Sequence, residues 1–77
     1  MTTTTRDRVL TIIVEHTGIT EIQDNDTFAD DLNCDSLDML ELGMAIEDEF
    51  GLSIPDGDLD TLRTVGRAVE YVEGRLS

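Results

Sequence analysis

The sequence predicts an all-α fold, a small helical bundle of three main helices plus one short helix, with a long loop between the first and second helices. Apolar residues recur at helical intervals in three separate segments of the 77-residue chain. No stretch of useful length alternates between apolar and polar residues, as a half-buried strand would. Gly18, Gly51 and Pro55 interrupt the periodic segments and mark where helices stop. A chain of this length has room for one modest core, so we expect residues 1–77 to form a single domain.

The first helix is expected from about Thr5 to Thr17, with Gly18 as its end, since glycine readily adopts the left-handed conformation that closes a helix. Its core-facing positions follow the helical period and include the single histidine of the chain: Val9, Ile12, Ile13 and His16. This pattern indicates that His16 is a partly packed structural residue.

The segment after the first helix is predicted to be a loop. Residues 18–34 show no helical period and are rich in Asp and Asn, which favour turns. We expect four apolar residues to hold the loop on the core: Ile19, Ile22, Phe28 and Leu32. A loop of this length is uncommon in so small a domain unless it has a function.

The second helix is expected to begin at Asp35 or Ser36, to end at Gly51, and to have two apolar stripes. The first has the spacing of a core-facing surface and comprises Met39, Leu42, Gly43, Ile46 and Phe50. The second, rotated away from it and here called the outer strip, comprises Leu37, Leu40 and Met44. Four acids flank the outer strip and are called the acidic border: Asp38, Glu41, Glu47 and Asp48. Because both stripes cannot face inward in a small bundle, we expect the outer strip and the acidic border to face solvent and to form a docking surface for partner proteins.

The rest of the chain predicts one short and one long helix. Ile54-Pro55 leads into a short helical turn expected from Asp56 to Asp60. Thr64 is expected to cap the last helix, whose apolar residues again have helical spacing: Val65, Ala68, Val69, Val72 and Leu76.

The charge of the chain is strongly negative and regional. The net charge is −13, and residues 21–60 contain fourteen acids and no Lys, Arg or His. Such a region repels nucleic acid and anionic lipid and attracts basic protein surfaces. No apolar run has the length of a membrane span or the pattern of a signal peptide, and the single cysteine, Cys34, allows no intramolecular disulfide. We therefore expect a cytoplasmic, soluble monomer that binds basic proteins but neither nucleic acid nor membranes.

Ser36 lies in the first turn of the second helix, between Asp35 and Leu37. The first backbone N–H groups of a helix are free and favour a negative charge, so the serine hydroxyl is well placed to carry a phosphate ester. A serine nucleophile acting alone would need an adjacent base, and His16 belongs to another helix. We therefore expect no catalytic residue in this chain, and a base and Mg²⁺ supplied by another protein.

The acidic region by itself is compatible with two protein classes. Aspartates near Asp24 and Asp56 suggest a calcium-binding domain, but neither cluster has the Gly and Glu that an EF-hand loop requires at its sixth and twelfth positions, and we predict no metal ligands. An unmodified acidic interaction module, binding a basic partner through the second helix, would have the same charge and the same outer strip.

The region around Ser36 resembles a known family when its flanking segments are included. The residues that carry the resemblance are Leu32-Asn33-Cys34-Asp35-Ser36-Leu37-Asp38, then Glu41-Leu42, Met44-Ala45, Ile46 to Gly51, and Ile54-Pro55. They resemble the acyl carrier protein family closely. A final part, Thr64-Val65-Gly66 through Tyr71-Val72, is similar to the last helix of that family.

This resemblance implies a carrier protein that is not itself an enzyme. In the family, a separate phosphopantetheinyl transferase moves phosphopantetheine from coenzyme A to the serine that matches Ser36, whose motif flanks match Asp35 and Leu37. The thiol of the attached arm then holds acyl groups as thioesters. The partners implied are this transferase and acyl-handling synthases, transferases and reductases with basic surfaces that dock on the outer strip and the acidic border.

The sequence leaves open the identity of the cargo and the roles of two residues. Fatty acid, polyketide, aminoacyl and peptidyl carriers share the serine site, and the acidity and short length favour a discrete carrier of a fatty acid or polyketide pathway. Cys34 and Gly43 depart from the family pattern. We expect Cys34 to be a small residue that fits its position, whereas Gly43 either enlarges a chain-holding cavity or allows close helix approach.

Overall fold

The computed structural model describes residues 4–76. These residues form four helices: α1 (Thr5–Thr17), α2 (Ser36–Phe50), α3 (Asp56–Leu59) and α4 (Val65–Leu76). The prediction of three main helices, one short helix and a long loop between the first and second is confirmed. Residues 1–3 and 77, which the predicted domain of 1–77 includes, lie outside the described residues.

The ends of the helices are fixed by local hydrogen bonds. The Thr4 hydroxyl accepts the backbone N–H of Asp7 at 3.1 Å, and the Asp7 carboxylate accepts the N–H of Thr4 at 3.4 Å, which forms a capping box at the start of α1. Gly18 and Gly51 close α1 and α2 with φ of +76° and +66°, a conformation that costs glycine little. Both glycines lie where the sequence placed the helix ends.

The helices pack around a continuous apolar core. Helix α1 packs against α4 and α2, while α3 packs against α2. Buried residues come from the three long helices and from the loops between them: Val9, Ile13, Phe28, Leu32, Cys34, Leu42, Ile46, Ile54, Leu62, Val65, Ala68, Val69 and Val72. Ile19 and Ile22 are partly buried against this core, so the four apolar loop residues contact it as predicted. Leu76 at the end of α4 is instead 47% exposed.

The long loop between α1 and α2 is held against the start of α4. Thr27 and Thr64 form an isolated antiparallel bridge, and the Val65 N–H donates to the carbonyl oxygen of Asp26 at 3.0 Å. The Thr64 hydroxyl also accepts the N–H of Arg67 at 3.2 Å, which confirms Thr64 as the cap of α4. The loop therefore enters α2 from a fixed position.

Among the described residues, no helix combines the length and the apolar character that a membrane crossing requires.

Candidate functional site

The start of α2 is a rigid helix end that presents an exposed serine. Asp35 is the N-cap of α2: its Oδ1 accepts the Asp38 N–H at 2.9 Å, while Oδ2 of Asp38 accepts the Asp35 N–H at 3.0 Å. Asn33, with φ of +58°, turns the chain into this cap. Ser36 follows as the first helical residue and is exposed. Its backbone is thus fixed while its hydroxyl faces solvent.

A cleft of about 760 Å³ opens beside Ser36. It lies between the start of α2, the short helix α3 and the loop before α2. Its walls are mainly apolar and include Phe28, Ser36, Met39, Leu40, Leu59 and Leu62. An apolar chain attached near Ser36 could be removed from water in this cleft.

Gly43 brings α3 close to α2. The residue is buried on α2, and a Cβ atom added there would lie 3.1 Å from Cδ1 of Leu59, closer than an ordinary van der Waals contact. Of the two roles left open by the sequence, close helix approach is therefore the one that the packing supports. A side chain at position 43 would push Leu59 away from α2.

The single histidine of the chain contacts the first turn of α2. Nε2 of His16 lies 3.0 Å from Oδ1 of Asp38, so the last turn of α1 is tied to the cap of α2. The hydrogen bond from the Asp35 backbone, followed by the one with His16, holds the pKa of the Asp38 carboxyl below its usual value. The sequence placed His16 in an apolar pattern, and nothing local indicates a partner 22 residues away.

The outer strip is exposed in the folded chain. The exposed fractions are 63% for Leu37, 47% for Leu40 and 62% for Met44, whereas Leu42 and Ile46 on the opposite face of α2 are buried. The two stripes thus face apart, as their spacing predicts. Their role in docking stays a prediction.

The acidic border divides into two kinds of residue. Glu41 and Asp48 are exposed. By contrast, Oε2 of Glu47 accepts the backbone N–H of Ile54 at 2.7 Å, and Asp38 belongs to the cap of α2. Glu47 and Asp38 are half-buried, so the expectation that the whole border faces solvent is wrong for these two residues. Both carboxylates accept local backbone N–H groups.

Cys34 belongs to the core, and it also lines the cleft beside Ser36. It is 7% exposed, and its Sγ donates to the carbonyl oxygen of Leu32 at 3.7 Å. Burial raises the pKa of the thiol, and the nearby charges of Asp38 and Asp35 raise it further. These features agree with the expectation of a small residue that fits its position.

Comparisons with known proteins agree with this geometry. The family model described as "Phosphopantetheine attachment site" matches residues 7–72, a range that spans α1 to α4 and contains the start of α2. A solved structure described as "a putative acyl carrier protein" from Mycobacterium tuberculosis is similar, with a TM-score of 0.88 and 27% sequence identity. The match covers 94% of this chain and 99% of that one.

The family match covers most of the chain, the structural match covers nearly all of it, and both extend over the helices that hold the exposed serine and its cleft. The chain therefore belongs to the phosphopantetheine attachment site family, as a carrier protein of the acyl carrier type.

Proposed function

We propose that Ser36 carries the phosphopantetheine arm of this carrier and that the thiol of the arm holds acyl intermediates as thioesters. The position of Ser36 is the observation that supports this most directly: the residue is exposed at the first position of α2, on a backbone fixed by the cap between Asp35 and Asp38. The adjacent apolar cleft offers room for an attached acyl group.

We propose that the base for this modification comes from another protein. His16 is the only histidine, and its Nε2 is engaged with Asp38. We propose that a phosphopantetheinyl transferase removes the proton of the Ser36 hydroxyl and supplies the metal ion for the coenzyme A phosphates. In this reaction the carrier contributes an accessible oxygen on a rigid helix end.

The pathway is proposed from charge. With fourteen acids between residues 21 and 60, the chain should dock on separate enzymes with basic surfaces, which favours a fatty acid or polyketide pathway whose enzymes are discrete proteins. We further propose that residues 1–77 form one carrier domain that acts as a monomer in the cytoplasm, where the buried, unpaired Cys34 would remain reduced. Identification of the thioester on protein purified from its source would test the cargo.

The attachment site can be tested by intact mass. Incubation of the chain with coenzyme A and a phosphopantetheinyl transferase should add one phosphopantetheine. Ser36→Ala should abolish the addition and leave the helical circular dichroism unchanged. Ser53→Ala, which alters another exposed serine, is the matched control and should be modified fully. Peptide mapping that finds the arm on Ser53, Ser77 or Cys34 would contradict the proposal.

A further inference from the structure

Three metal-ligating side chains meet where the end of α1 touches the start of α2. They are His16 from the last turn of α1, and Asp38 and Glu41 from the first turns of α2. One ligand atom from each lies within 4.8 Å of the others, and Nε2 of His16 lies 3.0 Å from Oδ1 of Asp38. An imidazole and two carboxylates on two helices thus converge on one point.

The distances allow a metal ion after a small side-chain rotation. Bonds from zinc to histidine nitrogen or carboxylate oxygen are about 2.1 Å, so two ligands of one ion lie at most about 4.2 Å apart. His16 and Asp38 already satisfy this limit. Glu41 is exposed, and among the described residues it has no hydrogen-bond or ion-pair partner, so its carboxylate can move the remaining distance at little cost.

The ligands are also oriented by their surroundings. Oδ2 of Asp38 accepts the backbone N–H of Asp35 at 3.0 Å, which leaves Oδ1 directed to His16. Hydrogen bonds of this kind orient metal ligands in proteins and raise metal affinity. Asp38 and Glu41 are three residues apart on one helix and therefore lie on the same face.

The ligand types select among metals. Ca²⁺ and Mg²⁺ prefer oxygen ligands alone, whereas imidazole with carboxylate suits Zn²⁺ and related transition metals.

We propose that His16, Asp38 and Glu41 bind one Zn²⁺ ion, with water at the fourth position. The ion links α1 to α2. It also neutralises two carboxylates of the acidic border beside the outer strip, so its binding would weaken the attraction of basic partners. The sequence predicts no metal ligands, and it does not indicate this cluster, since His16 is separated from the two acids in the chain and joins them only through helix packing.

One variant distinguishes zinc binding at this site from the general screening of the acidic residues by any divalent cation. The unmodified full chain is used, because the thiol of a phosphopantetheine arm would itself bind zinc. Calorimetric titration should give one Zn²⁺ per chain. We expect Mg²⁺ to raise the melting temperature by screening repulsion among the acidic residues, and zinc to raise it at a much lower concentration. His16→Asn keeps a donor for Asp38 but removes the imidazole ligand, and it should weaken zinc binding by roughly tenfold or more while the response to Mg²⁺ stays the same.

Two further measurements complete the test. Glu41→Gln should also weaken zinc binding, whereas Glu15→Gln, which changes an exposed acid next to His16, should bind zinc as the parent chain does. Co²⁺ should give a visible absorption band in the parent chain that His16→Asn loses. Equal zinc affinity in the parent chain and His16→Asn, or a melting temperature that responds to zinc only as it does to Mg²⁺, would overturn the proposal.

Discussion

Cys34 and Ser36 are two nucleophilic side chains that lie two residues apart in opposite surroundings. Cys34 is buried in the core with its Sγ directed to a carbonyl oxygen, while Ser36 is exposed at the start of α2. The thiol is intrinsically the stronger nucleophile. Burial therefore removes the competing group from the surface on which the proposed transferase acts.

Thiol alkylation should show this difference in access. At mildly alkaline pH, iodoacetamide should label Cys34 of the folded, unmodified chain far more slowly than in denaturant. The reactive species is the thiolate, and the raised pKa of Cys34 lowers its population at any given pH below that pKa. Intact mass gives the rates, and Cys34→Ala should take up no label. Protein modified with phosphopantetheine should rapidly take up one label, on the arm. Equal labelling rates of Cys34 in folded and denatured chains would contradict this account.

Residues whose role depends on the adjacent sequence lie where the sequence predicts them. Gly18 and Gly51 end helices at the predicted positions, and Ser36 begins α2 as expected. The contacts of His16 and Glu47 were missed, because each joins residues whose proximity depends on how the helices and loops pack. Helical spacing predicts which residues share one face of a helix, but it does not predict which residues pack against that face.

Three parts of the surface of helix α2 have different surroundings. Its inner face packs in the core, with Gly43 in close contact with Leu59 of α3. Its outer strip is exposed. Between them, Glu47 accepts the backbone N–H of Ile54 and so fixes the connection from α2 to α3. The acidic residues of one helix thus contribute differently to stability, although their side chains are chemically similar.

A pair of alanine variants separates these contributions. Glu47→Ala should lower the free energy of unfolding by about 1–3 kcal/mol, because it removes a charged acceptor and leaves the Ile54 N–H, in a part-buried setting, without its partner. Asp48→Ala removes the same charge from an exposed neighbour and should stay within about 0.5 kcal/mol of the parent chain. Urea unfolding measures both values. Equal stability of the two variants would show that the Glu47 bond contributes nothing.

At the scale of the whole molecule, two of the five arginines form ion pairs among the described residues. Arg6 pairs with Asp24, and Arg8 binds Glu49 at 2.9 Å while its guanidinium lies 4.3 Å from the centre of the Phe50 ring. No ion pair reaches the exposed Glu41 or Asp48 within the part of the chain that the structure describes. Glu41 and Asp48 therefore carry unpaired negative charges beside the outer strip, and we expect a basic partner to be attracted to this face.

Charge and apolar area should consequently affect docking in different ways. Glu41→Lys or Asp48→Lys should slow association with the transferase several-fold at low salt, and the defect should shrink as salt screens the field. Leu37→Ala or Met44→Ala should instead speed dissociation by roughly tenfold, because apolar contact area at the centre of the interface is lost. Surface plasmon resonance at several salt concentrations measures both rates.

The matched control for the charge variants is Glu70→Lys. It makes the same change of net charge at an exposed position on α4, a helix that packs against α1. If attraction is concentrated at the outer strip, Glu70→Lys should slow association much less than Glu41→Lys, because a charge farther from the interface than about one Debye length, near 8 Å at physiological salt, is largely screened. Equal effects of the two Lys variants would mean that partners respond to net charge alone. Unfolding of Leu37→Ala or Met44→Ala, as after a core deletion, would mean that the outer strip stabilises the fold and does not serve as a surface for docking.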